Sequence, residues 1–214
     1  MKFIKILFLV LFYLSIFFHI KAANLSLPKV TAEYVCNTKF LIGVSVLETR
    51  TFQGKNKKRI DTIVDNIPQS IIINYDNQTV TWIWPRTFAY LIVPLNKENQ
   101  ETLKKSTNIS KLENKKTDYT GGFEVNIYDV KLSLPDGTIE ESERWITIQH
   151  GITLKEKGVI IGQEGKVYFY SEFSNVKVFK QDEKLFEVPE GYNIAPIEDL
   201  DDVNELLKTM VKRV

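Results

Sequence analysis

The chain lacks most of the chemistry that enzymes and metal proteins draw on. One cysteine, Cys36, stands among 214 residues, so no disulfide can form within the chain. Of the two histidines only His150 lies beyond the first twenty residues. With Cys36 it makes two soft ligands, too few for a four-ligand zinc site. No Gly-x-Ser-x-Gly elbow accompanies His150, and no glycine-rich phosphate loop occurs anywhere. Charge of one sign is also missing: 28 Lys+Arg face 27 Asp+Glu. A nucleic-acid binder usually carries a basic footprint, so none is expected here. After residue 20 no apolar run approaches the ~18 residues of a membrane span, which excludes a multi-span transporter. At 43% hydrophobic residues the chain is also too apolar to be mainly disordered.

What is present begins at the amino terminus. Residues 3–20 hold fifteen apolar side chains, interrupted only by Lys5, Ser15 and His19. Lys2 and Lys5 precede the core of this run, and Lys21-Ala22-Ala23 follows it. A basic start, an apolar core and a small-residue exit form a secretory signal, assigned to residues 1–22. The alternative is an uncleaved segment that anchors the chain in a membrane. Without it about 190 residues remain, 23–214, the size of one domain. With no disulfide, that domain depends on a buried core, which a chain of this length can build. Cys36 fits a small buried hydrophobe; a reactive or intermolecular thiol is the alternative.

The pattern beyond the signal reads as β. Lys39–Thr51 is apolar and β-branched, Gly54 opens a polar turn, and Arg59–Val64 and Gln69–Tyr75 follow as strands. Asp76-Asn77-Gln78 forms a hairpin turn into Thr79–Trp84, which Pro85 ends. Thr87–Val93 is the next strand. Residues 96–118 are polar and rich in Lys and Asn, and read as a loop or lid insertion with a short helix around Lys97–Lys105. Strands resume over Phe123–Leu134, Thr138–Gln149, Lys155–Ile161 and Lys166–Phe173, and Asn175–Phe179 is a last strand before Lys184–Val188 and the final turn at Pro189-Glu190-Gly191. From Glu198 the spacing of Leu200, Val203, Leu206, Leu207, Met210 and Val211 is helical, giving a C-terminal helix over 198–213. Acidic residues at its start and basic ones at its end complement the helix dipole.

Acidic pairs are the remaining catalytic route. Glu140, Glu141 and Glu143 cluster in sequence, but acid and base must converge across a cleft. A solvated strand flank explains them more simply. The expectation is therefore a protein with no catalytic residues, no metal and no cofactor.

The dense feature is aromatic. Trp82 and Trp84 alternate with Ile83, so both indoles share one side of a strand. The following strand offers Phe88, Tyr90 and Ile92, and Ile71-Ile72-Ile73 lies across the hairpin. Such a face either lines an apolar ligand cavity or is an ordinary core. Arg59-Ile60-Asp61, Ile71–Asp76, Thr79-Val80-Thr81-Trp82-Ile83-Trp84-Pro85 and Tyr90 together resemble the LolA/LolB-like superfamily. Trp145-Ile146-Thr147 with Gly151–Lys155, and Leu185–Tyr192 with its Pro189-Glu190-Gly191, resemble the second half of uncharacterised exported relatives. Thr153 departs from the usual Pro there, and the C-terminal helix is an extension.

The resemblance implies a mainly β fold: a curved antiparallel half-barrel with a few covering helices. In characterised members the cavity takes lipoprotein acyl chains crossing the bacterial periplasm. By this resemblance, Ile72, Trp82, Trp84, Phe88 and Tyr90 would line an apolar cavity. Arg59 would hold a lid or meet a polar head group. The function expected is an exported, non-enzymatic carrier of lipid or lipoprotein acyl chains, periplasmic if the signal is cleaved. The rival expectation is an envelope protein-interaction module whose sheet is filled by its own chain.

Overall fold

The computed structural model describes residues 27–64, 66–94, 108–133, 137–163 and 165–195. The signal segment, Lys97–Lys105 and the 198–213 helix lie outside these residues. The fold is mainly β, as expected: an open, antiparallel-dominated sheet of twelve strands in the order β12-β6-β5-β4-β3-β2-β1-β11-β10-β9-β8-β7. The strands group into two compact units, both of which contain parts of β1 (Tyr34–Ile42) and β2 (Ser45–Gln53).

The first unit is built on β7 (Asn108–Thr120), β8 (Phe123–Ser133), β9 (Ile139–Thr147), β10 (Thr153–Gly162) and β11 (Gly165–Val178). Every neighbour in this series from β7 to β11 pairs antiparallel. Val130, Leu132, Ile146 and Phe169 are buried within it. His150 lies in the turn after β9, as its flanking glycine suggests, with its ring edge-to-face on Phe123 at 6.4 Å.

The second unit holds β3 (Lys57–Val64), β4 (Ile67–Asn74), β5 (Thr79–Trp84), β6 (Ala89–Pro94) and the short β12 (Asn193–Ile194). β3 to β6 form an antiparallel meander, and β12 runs parallel to β6 at its edge. The Ile-rich β4 is buried on both faces at Ile71, Ile72 and Ile73, the pattern of a central strand.

Three expectations are corrected. Residues 108–118 belong to β7 rather than to a loop insertion; charge on an edge strand keeps it from pairing with other chains and also disguises it. Lys39–Thr51 is a hairpin, not one strand, because Gly43 turns the chain at a φ of +56°, a conformation glycine adopts freely. Asn175–Phe179 is not a separate strand but the end of β11, which runs unbroken over Gly165–Val178; beyond it Glu183–Phe186 is a single 3-10 turn capped by Asp182, whose carboxylate accepts from the Lys184 N–H at 3.0 Å. Asp182 thereby satisfies a backbone donor that a strand would have paired.

Candidate functional site

Strand register sorts the second unit into two faces, since directly opposed residues project to the same side. One face carries the row Phe52, Arg59, Ile72, Thr81, Ile92 and the row Asp61, Ser70, Ile83, Tyr90. The other carries Thr51, Ile60, Ile71, Trp82, Leu91 and, beside them, Gln53, Lys58, Ile73, Val80. Two of the expected cavity residues, Ile72 and Tyr90, therefore share a face with Arg59. Trp82 and Trp84 lie on the opposite one. Phe88 joins neither row: it ends the 3-10 turn Pro85–Thr87 at a φ of +51° and is 60% exposed. Its ring meets Tyr192 edge-to-face at 5.5 Å.

The Arg59 face is covered by the chain itself. Phe186 enters a cluster of Val35, Phe52, Ile72 and Ile83, with Tyr90, Leu185, Val188 and Tyr192 packed around it. Glycine at position 54 leaves room for the ring; a Cβ there would come within 2.9 Å of Phe186 Cζ. The segment carrying Phe186 is fastened along its length. Gln181 N–H donates to the Glu33 carboxylate at 2.8 Å, and Lys57 pairs with Glu183 at 2.8 Å. Asn193 and Ala195 N–H donate to the Phe88 and Tyr90 carbonyls at 2.8 and 2.7 Å.

Arg59 is the central clasp of this strap. Its Nε donates to Asp61 at 2.7 Å, its Nη1 to the Leu185 carbonyl at 3.0 Å and its Nη2 to Ser70 Oγ at 3.2 Å. Ser70 in turn donates to Asp61 at 2.7 Å. A guanidinium can serve three acceptors at fixed angles, so one side chain ties two strands to the strap backbone. Arg59 thereby holds the backbone of the strap at Leu185.

The Trp face is buried and mixed: its tryptophans and isoleucines share it with the buried Thr51, Gln53 and Lys58. Trp82 and Trp84 are 3% and 1% exposed, among Ile60, Ile71, Ile73 and Val80, all buried. Neither indole N–H has a hydrogen-bond partner among the described residues. Lys58 is buried on the same face, and loss of water pushes its amine down to about 8, against a smaller opposing influence of Cys36. Cys36 is buried, as expected for a small hydrophobe. Burial likewise drives the Tyr34 and Tyr75 hydroxyls well above their ordinary range.

In the first unit, β9 divides the three clustered glutamates. Glu141 and Glu143 belong to a solvated ion ladder, as expected: Glu141 meets Lys131 at 2.7 Å, and Glu143 meets Lys157 at 2.7 Å and Lys115 at 2.9 Å. Hydrogen bonds and charge from these lysines lower both carboxyls. Glu140 departs from that reading. It is buried on the opposite side, where Arg144 Nη2 donates to it at 2.7 Å and Ser142 Oγ at 2.9 Å. Arg144 Nε lies 2.5 Å from Glu156 Oε1, as an ion pair without hydrogen-bond alignment. Burial raises Glu156 to about 7; the Arg144 charge works against this and the Glu140 charge adds to it. Sequence reasoning overlooked this cluster because Glu156 comes from a different strand. Alternation of Glu140, Ser142 and Arg144 on one side of β9 was the available signal. Among the described residues, no group of three or more His, Cys, Asp and Glu is placed to hold a metal ion.

No family model and no curated protein matches the chain. Solved structures do. An uncharacterized conserved protein from Thermus thermophilus superposes with a TM-score of 0.52 at 13% identity, covering 77% of this chain and 90% of that one. The chain therefore shares the fold of that protein. Pseudomonas aeruginosa MucA/MucB gives a TM-score of 0.49 at 10% identity, over 78% of this chain and 59% of that one. A LolA superfamily protein from Nitrosomonas europaea gives 0.38 at 9% identity, over 73% of this chain and 90% of that one. No helix among the described residues is long and apolar enough to cross a membrane.

Proposed function

We propose that the chain is an exported, non-enzymatic binder of an apolar ligand, an acyl chain of lipid or lipoprotein, acting in the bacterial periplasm. The observation that carries this reading is the Trp face: two indoles on one side of β5, flanked by Ile60, Ile71 and Ile73 on the neighbouring strands. These side chains are 1–6% exposed and form one continuous apolar row, the kind of lining an enclosed acyl-chain site has. The secretory signal and the resemblance of the Thr79–Pro85 strand to LolA/LolB-like proteins support the same reading. In this assignment Trp82 and Trp84 meet the ligand. Ile72, Tyr90 and Arg59 hold the strap on the opposite face.

A ligand that binds only the native state must raise its stability, by about 2.7 kcal/mol at a hundred times Kd. The test is thermal unfolding of delipidated protein with fatty acids, glycerolipids and acylated peptides. A rise in Tm with at least one acyl class is expected. No rise with any of them contradicts the reading.

The interaction module stands second because Phe186 fills one apolar face with the chain's own side chain. Under that reading an envelope protein co-purifies after cross-linking in cells, and its capture is lost when residues 197–214 are deleted.

A further inference from the structure

The second unit ends on an open edge. β12 covers only the start of β6: Asn193 pairs with Ala89 and Ile194 with Tyr90, in parallel. Asn193 N–H donates to the Phe88 carbonyl and Ala195 N–H to the Tyr90 carbonyl, so every second residue of the segment meets every second carbonyl of β6. The next carbonyl in that series belongs to Ile92. Ile92 follows Tyr90 on the strap face, and Ile194 lies beside Tyr90 on the same face. The surface here is apolar and uncovered: Ile194 is 68% exposed, Phe88 60% and Ile92 49%. Phe88 touches Tyr192, which packs on the Phe186 cluster, so the patch is continuous with the core under the strap. Next to it Arg86 is exposed and has no ion-pair partner among the described residues.

The chain itself carries what this patch lacks. Beyond Ala195 nineteen residues remain, 196–214, and they set out from this edge. Pro196 has no N–H, but in the two-residue repeat of the ladder its position points away from β6, where no donor is needed. Ile197 comes next in phase, two residues after Ala195. The residues that follow open with Glu198, Asp199, Asp201 and Asp202 and carry Leu200, Val203, Leu207, Met210 and Val211 at helical spacing. The acids match Arg86, and the apolar series matches the exposed patch. We infer that residues 196–214 are the occupant of this edge: Ile197 N–H donates to the Ile92 carbonyl, and the apolar series covers Phe88, Ile92 and Ile194. The tail thereby closes the place where β6 would otherwise offer its backbone to a foreign strand. This inference is independent of the ligand assigned above.

The test uses the full mature chain. Amide exchange is followed at Ile197, and methyl signals at Ile92 and Ile194, in the parent and in a variant carrying both Val203→Asp and Leu207→Asp. Both substitutions fall beyond β12, so the strands of the sheet keep their own residues. In the parent, Ile197 is expected to exchange at least about tenfold more slowly than an unstructured amide. In the double variant that protection is lost and the Ile92 and Ile194 methyl signals move. Arg86→Glu is expected to lower the protection about threefold, the size of an exposed ion pair. All of these effects persist on dilution, as an intramolecular contact requires. Exchange of Ile197 at the unstructured rate in the parent overturns the inference. So do Ile92 and Ile194 signals that ignore the double variant, because the tail then packs elsewhere. Effects that vanish on dilution put the tail of a second copy on the patch and overturn the assignment within one chain. None of these outcomes alters the acyl-chain reading, which thermal unfolding with lipid tests separately.

Discussion

Each unit contains one arginine that serves a serine and carboxylates, and the two do different jobs because their burial differs. Arg59 in the second unit is partly solvated, its side chain 21% exposed and that of Asp61 33%. There is one carboxylate for one guanidinium, so the pair is balanced, and a donor remains for the strap carbonyl of Leu185. Arg144 in the first unit is 2% exposed and faces two buried carboxylates, Glu140 and Glu156. The low dielectric strengthens each attraction there, but it also makes the second carboxylate expensive to ionise. The same residue types thus build a latch where water reaches them and a proton-holding core element where it does not.

The largest expected effect comes from breaking the buried cluster. Arg144→Leu leaves two carboxylates without their cation and should cost about 3–5 kcal/mol, read as a lowered denaturation midpoint in urea. Adding Glu156→Gln to that variant should recover part of the loss, because one buried acid is gone. Next is the strap. Phe186→Ala removes a ring from a packed cluster and should cost about 3–5 kcal/mol locally. Hydrogen exchange should speed up at Leu185, Glu187, Asn193 and Ala195 while the β8–β9 amides keep their protection. If β8–β9 exchange rises equally, the two units do not unfold separately.

The pH dependence sharpens the contrast further. Glu156 is raised from its ordinary 4.5 to about 7. Its contribution to stability is complete below pH 4.5 and is lost as pH rises to 7, since the unfolded chain gives up its proton first. Lys58 is lowered from 10.5 to about 8. Its contribution is complete above pH 10.5 and is lost as pH falls to 8. Above pH 10 the buried tyrosine hydroxyls oppose that gain, because they ionise more readily in the unfolded chain. Glu156→Gln should therefore flatten the stability profile between pH 4.5 and 7 and leave the alkaline limb unchanged. Lys58→Met should do the reverse. The smallest effect is expected for Arg59→Gln, about 1–2 kcal/mol after allowance for solvent screening. Strap exchange should rise while the pH profile stays as in the parent.

Much of the second unit could be read from its residues. Ile71–Tyr75, the Asp76-Asn77 turn and Thr79–Trp84 follow from β-branched runs bounded by turn formers, and strand alternation alone puts the two indoles on one side. The position of Phe88 could not be read this way. Its left-handed backbone follows from the turn after Pro85, so it leaves the alternation that Tyr90 and Ile92 keep. The strap was hidden for a similar reason: nothing local in Lys184–Val188 marks it, and only the Asp182 cap and the space beside Gly54 turn it into a plug. In β7 the charges suited to an open edge erase the apolar signal of a strand. Glu140 looked like its neighbours Glu141 and Glu143 because face assignment on β9 depends on what β10 brings opposite it.

The most direct test of the central claim is native mass spectrometry of the mature protein purified from its own cell envelope, with lipid extraction of the same sample. A retained acyl-chain adduct is expected that survives gentle desolvation and disappears in Trp82→Asp and Trp84→Asp proteins that remain folded. An adduct-free mass for the folded wild-type protein, unchanged on adding glycerolipid, would contradict it.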